Sequence, residues 1–193
     1  LGLSSAASDV YKRQILMRTT LRFKAAGVMH SMIYIGFLGL FAGTITLEIH
    51  HLMPPSLKFL QGTTYIVYSF SLELASLLYL GGLGWAFYRR IFGTEDRIKT
   101  KTKMDDYLTL SLLAFMGISG LTTEAGRILV EGFPNYEKWS FVGYYIATLL
   151  PFDDGILFHR VSWILHTVSF FVFLLVLPQS KLRHIVTSPS NMF

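Results

Sequence analysis

The sequence predicts an all-α protein, an integral membrane four-helix bundle. Three observations predict it. Of the 193 residues, 52% are hydrophobic and only 15% charged, too apolar a balance for a water-soluble domain. Four apolar runs are each long enough to cross about 30 Å of hydrocarbon, which takes about 20 helical residues. All but two of the 17 Lys and Arg residues lie outside those runs, in short segments between or beside them. That is the pattern of membrane orientation, not of a nucleic-acid surface.

The first fourteen residues, LGLSSAASDVYKRQ, resemble a sequencing-adapter read-through and are set aside as a non-native leader, leaving 15–193 as the domain. They hold no sustained apolar core of the kind a signal peptide needs. The chain lacks an initiator Met and stops at Asn191-Met192-Phe193, so it reads as a fragment at both ends. The first spanning helix is predicted near 26–49 and is stopped by Met53-Pro54-Pro55, since proline has no N–H to continue the ladder. The second, near 64–88, closes on Tyr88-Arg89-Arg90, and a basic segment leads into the third, near 107–129. A longer connection, 130–154, carries Pro134, Trp139 and Asp153-Asp154 before the fourth helix, near 155–177. Trp85, Trp139 and the tyrosines near run ends fit interfacial belts. If the first helix starts inside, only Lys58, Arg127, Lys138 and Arg160 of the 17 basic residues fall outside. Both ends are then cytoplasmic in a bacterial or archaeal cell membrane.

No cysteine is present, which excludes disulfides, c-type haem attachment, cysteine-held zinc and iron–sulfur clusters within this chain. All six histidines, His30, His50, His51, His159, His166 and His184, fall on or just beyond the first and last helices. An imidazole in hydrocarbon is costly unless its nitrogens are used, so ligation or hydrogen bonding is expected. His166 and His184 are eighteen positions apart, about five whole turns and about 27 Å, provided Pro178 leaves the helix unbroken. His30 and His51 are twenty-one positions apart, about 31 Å and about 60° from alignment, whereas His50 points nearly opposite His30.

Because the two helices run antiparallel, His30 is matched with His184 and His51 with His166. Each pair offers two neutral imidazoles to a six-coordinate haem iron, and two haem b groups stacked across the bilayer would conduct electrons. His159 shares the face of His166 about 10 Å further out and competes with it for the outer iron, as His50 competes with His51. The plainer alternative is that interfacial histidines only hydrogen-bond at headgroup level. Two spanning pairs on antiparallel helices weigh against it, and the wide spacing weighs against one zinc or di-metal site.

The stretch His166-TVSFFVFLLVL-Pro178-Gln179-Ser180-Lys181-LR-His184, followed by Ser188-Pro189, resembles the final helix of the gamma subunit of respiratory nitrate reductases. In that family both histidines ligate haem, and His166 and His184 match them. The first helix, Gly27-VM-His30-SMIYIGFLGLFAGT, is similar to a related branch fused to, or partnered with, heterodisulfide-reductase-like iron–sulfur proteins. There His30 and His51 match the other two ligands, although His50 stands where the branch usually has an acid. The nitrate reductase subunit itself spaces those two ligands more closely, and Leu40 and Thr44 here offer no substitute. Arg89-Arg90, Asp105-Asp106, Glu124-Ala-Gly-Arg127-Ile128 and Trp139-Ser140 add matches to the branch. The resemblance implies a five-helix haem-b domain, one helix of which precedes this chain, with an iron–sulfur region following it.

Glu73 lies inside the second apolar run, where a charge is expensive. It is expected either in a proton path or in a buried hydrogen bond to a neighbouring helix. Glu124 and Arg127, three apart, can pair locally. At the depth of His51 and His166 they would border a quinol pocket, or form a plain helix-end ion pair. Gly36, Gly39 and Gly43 point away from the His30 side and are expected to serve close helix packing. Together these expectations describe a lipid-embedded di-haem cytochrome passing electrons between quinol and a cytoplasmic iron–sulfur domain or subunit. It would carry no substrate-reducing chemistry and no nucleic-acid partner. The alternative is a haem-free proton relay or transporter; histidines near opposite faces, not at a midplane site, count against it.

Overall fold

The computed structural model describes residues 24–93, 104–150 and 154–183. The leader, the basic segment 94–103 and His184 lie outside the described residues. These contain α1 (Lys24–Leu52), α2 (Gly62–Phe92), α3 (Met104–Val130), α4 (Phe141–Leu149) and α5 (Gly155–Val176). Short 3-10 turns occur at Pro55–Leu57, Asn135–Trp139 and Lys181–Arg183. All but α4 are long and apolar enough to cross a bilayer, and no strand occurs among the described residues. The four predicted spans are all present. α1 to α3 run past their predicted ends, because polar residues can continue a helix once it leaves hydrocarbon.

The last helix behaves otherwise. Pro178 has no N–H to donate to the ladder, and the amides of Gln179 and Ser180 both fold back on the Val176 carbonyl, at 3.1 and 3.0 Å. Regular helix therefore ends at Val176, followed by a turn and the short Lys181–Arg183 segment. This end agrees with the span expected near 155–177, and the condition set for aligning His166 with His184, a helix unbroken at Pro178, is not met. The same-face argument for that pair fails, and the match of His184 rests on the sequence pattern.

The helices pack as two pairs, α1 on α2 and α3 on α5, joined along α2 and α3. Lipid tails are as apolar as leucine, so association depends on how closely backbones approach. A Cβ on Gly36 would stand 2.6 Å from the Tyr79 backbone nitrogen, and one on Gly43 would overlap a Leu72 methyl. The small-residue face of α1 is thus pressed against α2, as expected. Tyr79, 1% exposed, anchors the core with Leu83, Leu113, Met116 and Phe173, and donates its hydroxyl to the Leu113 carbonyl at 3.0 Å. By comparison α1 meets α5 sparsely, at a contact such as Phe37 with Phe173, ring centroids 5.6 Å apart. Ile35, Leu38, Phe41 and Ile45 on α1, and Ile164, Val168, Phe171 and Leu175 on α5, are exposed at helical spacing and form the lipid face.

The connection 130–154 holds an element that the sequence reading did not place. α3 ends at Glu131-Gly132, where Gly132 has φ 73° and the Phe133 amide reaches back to the Ile128 carbonyl at 3.2 Å. After the Asn135–Trp139 turn, α4 lays Ala147 against Ala125 and Ile128 of α3. Its nine residues are too few to span a bilayer, and it closes one end of the bundle.

Candidate functional site

The ring nitrogens of His50 and His159 can be assigned from what they touch, because backbone N–H groups only donate and carbonyls only accept. His50 Nδ1 lies 3.1 Å from the Leu60 amide, so it accepts, and its proton sits on Nε2. The His50 ring also meets Phe59 edge-on at 5.4 Å. His50 therefore closes the loop between α1 and α2, and its Nε2 carries a proton where an iron ligand needs a lone pair. His51 stands exposed beside it, ring centroids 6.0 Å apart.

On α5 the assignment is reversed. His159 Nδ1 lies 3.1 Å from the Thr123 carbonyl, so it must be the protonated nitrogen. His166 Nδ1 lies 3.0 Å from the Ser119 hydroxyl; with that hydroxyl's single proton given to the Met116 carbonyl at 3.0 Å, Nδ1 is the donor. Both rings keep an Nε2 lone pair, with the opposite nitrogen fixed by a neighbour, which is how iron-ligating histidines are oriented. Glycines on α3 make room for them. A Cβ on Gly120 would stand 3.3 Å from His166 Cε1, and one on Gly126 would stand 3.0 Å from the His159 Cα. His30 is half-buried and engaged on α1. The structure brings no three His, Cys, Asp or Glu side chains together as a metal site among the described residues. An apolar cleft of about 210 Å³ between α3 and α5 is lined by Ser119, Thr122, Phe158, Ser162 and Leu165, between the levels of His159 and His166.

The end of the bundle closed by α4 carries a polar network that periodicity could not reveal. Glu137, 0% exposed, accepts at Oε1 from Arg127 at 2.7 Å and from the Tyr65 hydroxyl at 2.6 Å. Arg127 also donates to Tyr65 at 2.8 Å and to Glu131 at 3.0 Å. Ser140 donates to Glu137 Oε2 at 3.1 Å and is hydrogen-bonded to Ser69. Burial pushes the Glu137 carboxyl up, but the hydrogen bonds from Arg127 and Tyr65 and the Arg127 charge outweigh it and hold it below the ordinary carboxylate range. The local pair expected between Glu124 and Arg127 does not form. Arg127 turns to Glu137 and Glu131, at 2.7 and 3.0 Å, and the fully buried Glu137 carboxylate takes the shorter bond. Glu124 instead lies against Gly143, where a Cβ would be 3.0 Å from its carboxylate. Glu73, 1% exposed, accepts from the Gly143 amide at 3.0 Å, so the expectation of a buried hydrogen bond holds, made to α4.

The nitrate reductase gamma subunit family model matches residues 1–193. The chain belongs to that family. It is a family of haem b cytochrome subunits, and with four spanning helices this member is a multi-pass membrane protein of electron transfer. Over 90% of its length the chain is 28% identical to a probable iron-sulfur-binding oxidoreductase, FadF, of Bacillus subtilis (strain 168). Over 89% of its length it is 26% identical to an EtfAB:quinone oxidoreductase of Syntrophomonas wolfei. It spans about a quarter of each, 24% and 25% of their lengths. These relatives agree with the resemblance to the branch fused to or partnered with iron–sulfur proteins. No solved structure matches the chain.

Proposed function

We propose that the chain is a di-haem b-type cytochrome domain that passes electrons between the quinol pool and a cytoplasmic iron–sulfur partner. The observation that carries this reading is the state of His166, with Nδ1–H held by Ser119, the ring seated on Gly120 and the Nε2 lone pair kept for a metal. His51 would hold the outer iron with His166, and His30 the inner iron with His184. His159 shares the tautomer and stands as the competitor for the outer iron. A bound haem supplies reversible one-electron chemistry. The protein holds the rings at fixed tautomer and excludes water with the α1–α2 and α3–α5 pairs. The cleft between α3 and α5 offers an apolar bed for a quinol tail beside the outer histidines. One relative is named an iron-sulfur-binding oxidoreductase and the other a quinone oxidoreductase, which supports an iron–sulfur partner and a quinone substrate.

The test is quinol-driven reduction in membranes containing the whole protein. Menaquinol or ubiquinol analogues should produce a reduced b-type absorbance that is then reoxidised through the iron–sulfur partner. Membranes with the folded protein but no b-type absorbance, or b-type absorbance that no quinol reduces, would overturn the proposal.

A further inference from the structure

At the α4 end of the bundle, two carboxylates from different helices converge on one glycine. Glu73 of α2 accepts from the Gly143 amide, while its second oxygen, Oε2, is buried with no hydrogen-bond partner. Glu124 of α3 presses its carboxylate on the α-carbon side of the same Gly143, where even a methyl group would collide. The two carboxylates are close enough to feel each other's charge. The charged and titratable groups around them are accounted for element by element. From α2, Tyr65 is bound to Glu137 and Tyr68 donates to the Gly43 carbonyl. From α3, Arg127 is bound to Glu137 and Glu131. From the connection before α4, Glu137 takes the Arg127 charge, and from α5, His159 faces the Thr123 carbonyl. The guanidinium gives its hydrogen bonds to Glu137, Glu131 and Tyr65, so its charge reaches Glu124 only from a distance, and among the described residues no cation forms an ion pair with either carboxylate. Two such charges cannot both be carried in a low-dielectric site. Ser140 donates to Glu137 and lies within reach of Glu124, but a neutral hydroxyl brings no positive charge to the pair.

We infer that Glu73 and Glu124 form a proton-holding pair that keeps one exchangeable proton between them at neutral pH and accepts the proton released when quinol is oxidised at this end of the bundle. The role in quinol oxidation rests on the proposed function above; the shared proton does not. The step is a proton transfer alone. The O–H bond of the quinol breaks, a new O–H bond forms on a carboxylate oxygen of the pair, and the electrons leave separately to the b-type haem. The orphaned Oε2 of Glu73 is the natural landing atom, because an arriving proton removes the buried charge that costs most there. Glu73 also holds the N-terminal turn of α4 through Gly143, so its protonation state is tied to the element that caps the bundle.

The experiment is difference infrared spectroscopy of the whole protein in liposomes across a pH series, in H2O and D2O, with the variants E73Q, E124Q and E73Q/E124Q. Wild type should show a protonated-carboxyl C=O band at neutral pH that shifts on deuteration. Each single variant should change the pH at which that band disappears, and the double variant should lack it. Absence of the band in wild type, or a band unchanged in the double variant, would overturn the pair. E124Q leaves the Glu73–Gly143 bond in place, so it keeps the test usable if E73Q does not fold. Quinol-driven reduction, followed in the same samples, separates the two claims. Loss of quinol reactivity in wild type with the band intact refutes the quinol reading and the proton's source, while the shared proton stands. Retained quinol reactivity with no band refutes the pair alone.

Discussion

Replacing Arg127 by methionine should be the most destabilising single change at the α4 end. The substitution keeps the apolar stem and removes the charge, leaving Glu137, fully buried, without the donor 2.7 Å away. Breaking a buried ion pair by removing one partner costs about 3–5 kcal/mol. The Arg127 side chain is itself 31% exposed, and solvent reaching the site lowers the expected cost to about 2–4 kcal/mol. Its second bridge, to half-exposed Glu131, adds no more than about 0.5 kcal/mol. E137Q should cost less, about 1–2 kcal/mol, since Gln still accepts from Tyr65 and the exposed part of Arg127 can turn to water. Because the residues share one network, the double variant R127M/E137Q should be milder than the sum by at least about 1 kcal/mol. Unfolding in mixed micelles, followed by far-ultraviolet circular dichroism, measures all three. A cost for R127M within about 0.5 kcal/mol, or strict additivity in the double variant, would refute the reasoning.

Four further outcomes are expected. S119A removes the acceptor that fixes His166 Nδ1–H and should weaken haem retention about 10–100-fold without changing helix content, measured by haem loss to apomyoglobin. H50A should keep the b-type spectrum and lower stability by about 1 kcal/mol, because it frees the Leu60 amide and leaves a ligand untouched. G36L forces a side chain into the Tyr79 backbone and should cost about 1–3 kcal/mol or more in the same unfolding assay, whereas G84A, where a Cβ meets open space, should be neutral or better. Glu137 is held below the ordinary carboxylate value, so its stabilisation is complete above the unfolded pKa of about 4.3 and is lost as pH falls through the folded value. Stability should therefore be insensitive to this group near neutrality and fall on acidification, and E137Q should flatten that acid limb.

The spans were legible because lipid requires long apolar segments with the backbone satisfied internally, and composition alone declares them. Helical phase sets His51 apart from His50, and the structure adds that His50 accepts from the Leu60 amide at Nδ1. α4 was not legible, since nine apolar residues between polar turns carry no decisive period and owe their placement to Glu73 and Ala125, which are distant in sequence. The partner of Arg127 was misread because i,i+3 spacing predicts neighbours on a helix, while Glu137 arrives from a turn that periodicity does not describe. Pro178 was the visible warning at the end of the last helix. It ended regular structure there and removed the geometric part of the case for His184.

The central claim, that histidines on the first and last spanning helices hold two haems, is tested most directly by haem-to-protein stoichiometry with the reduced-minus-oxidised spectrum of the purified protein. Wild type and H159A should each carry about two b-type haems per chain, and H166A about one. A folded helical protein that binds no haem, or H166A that keeps both, would contradict it.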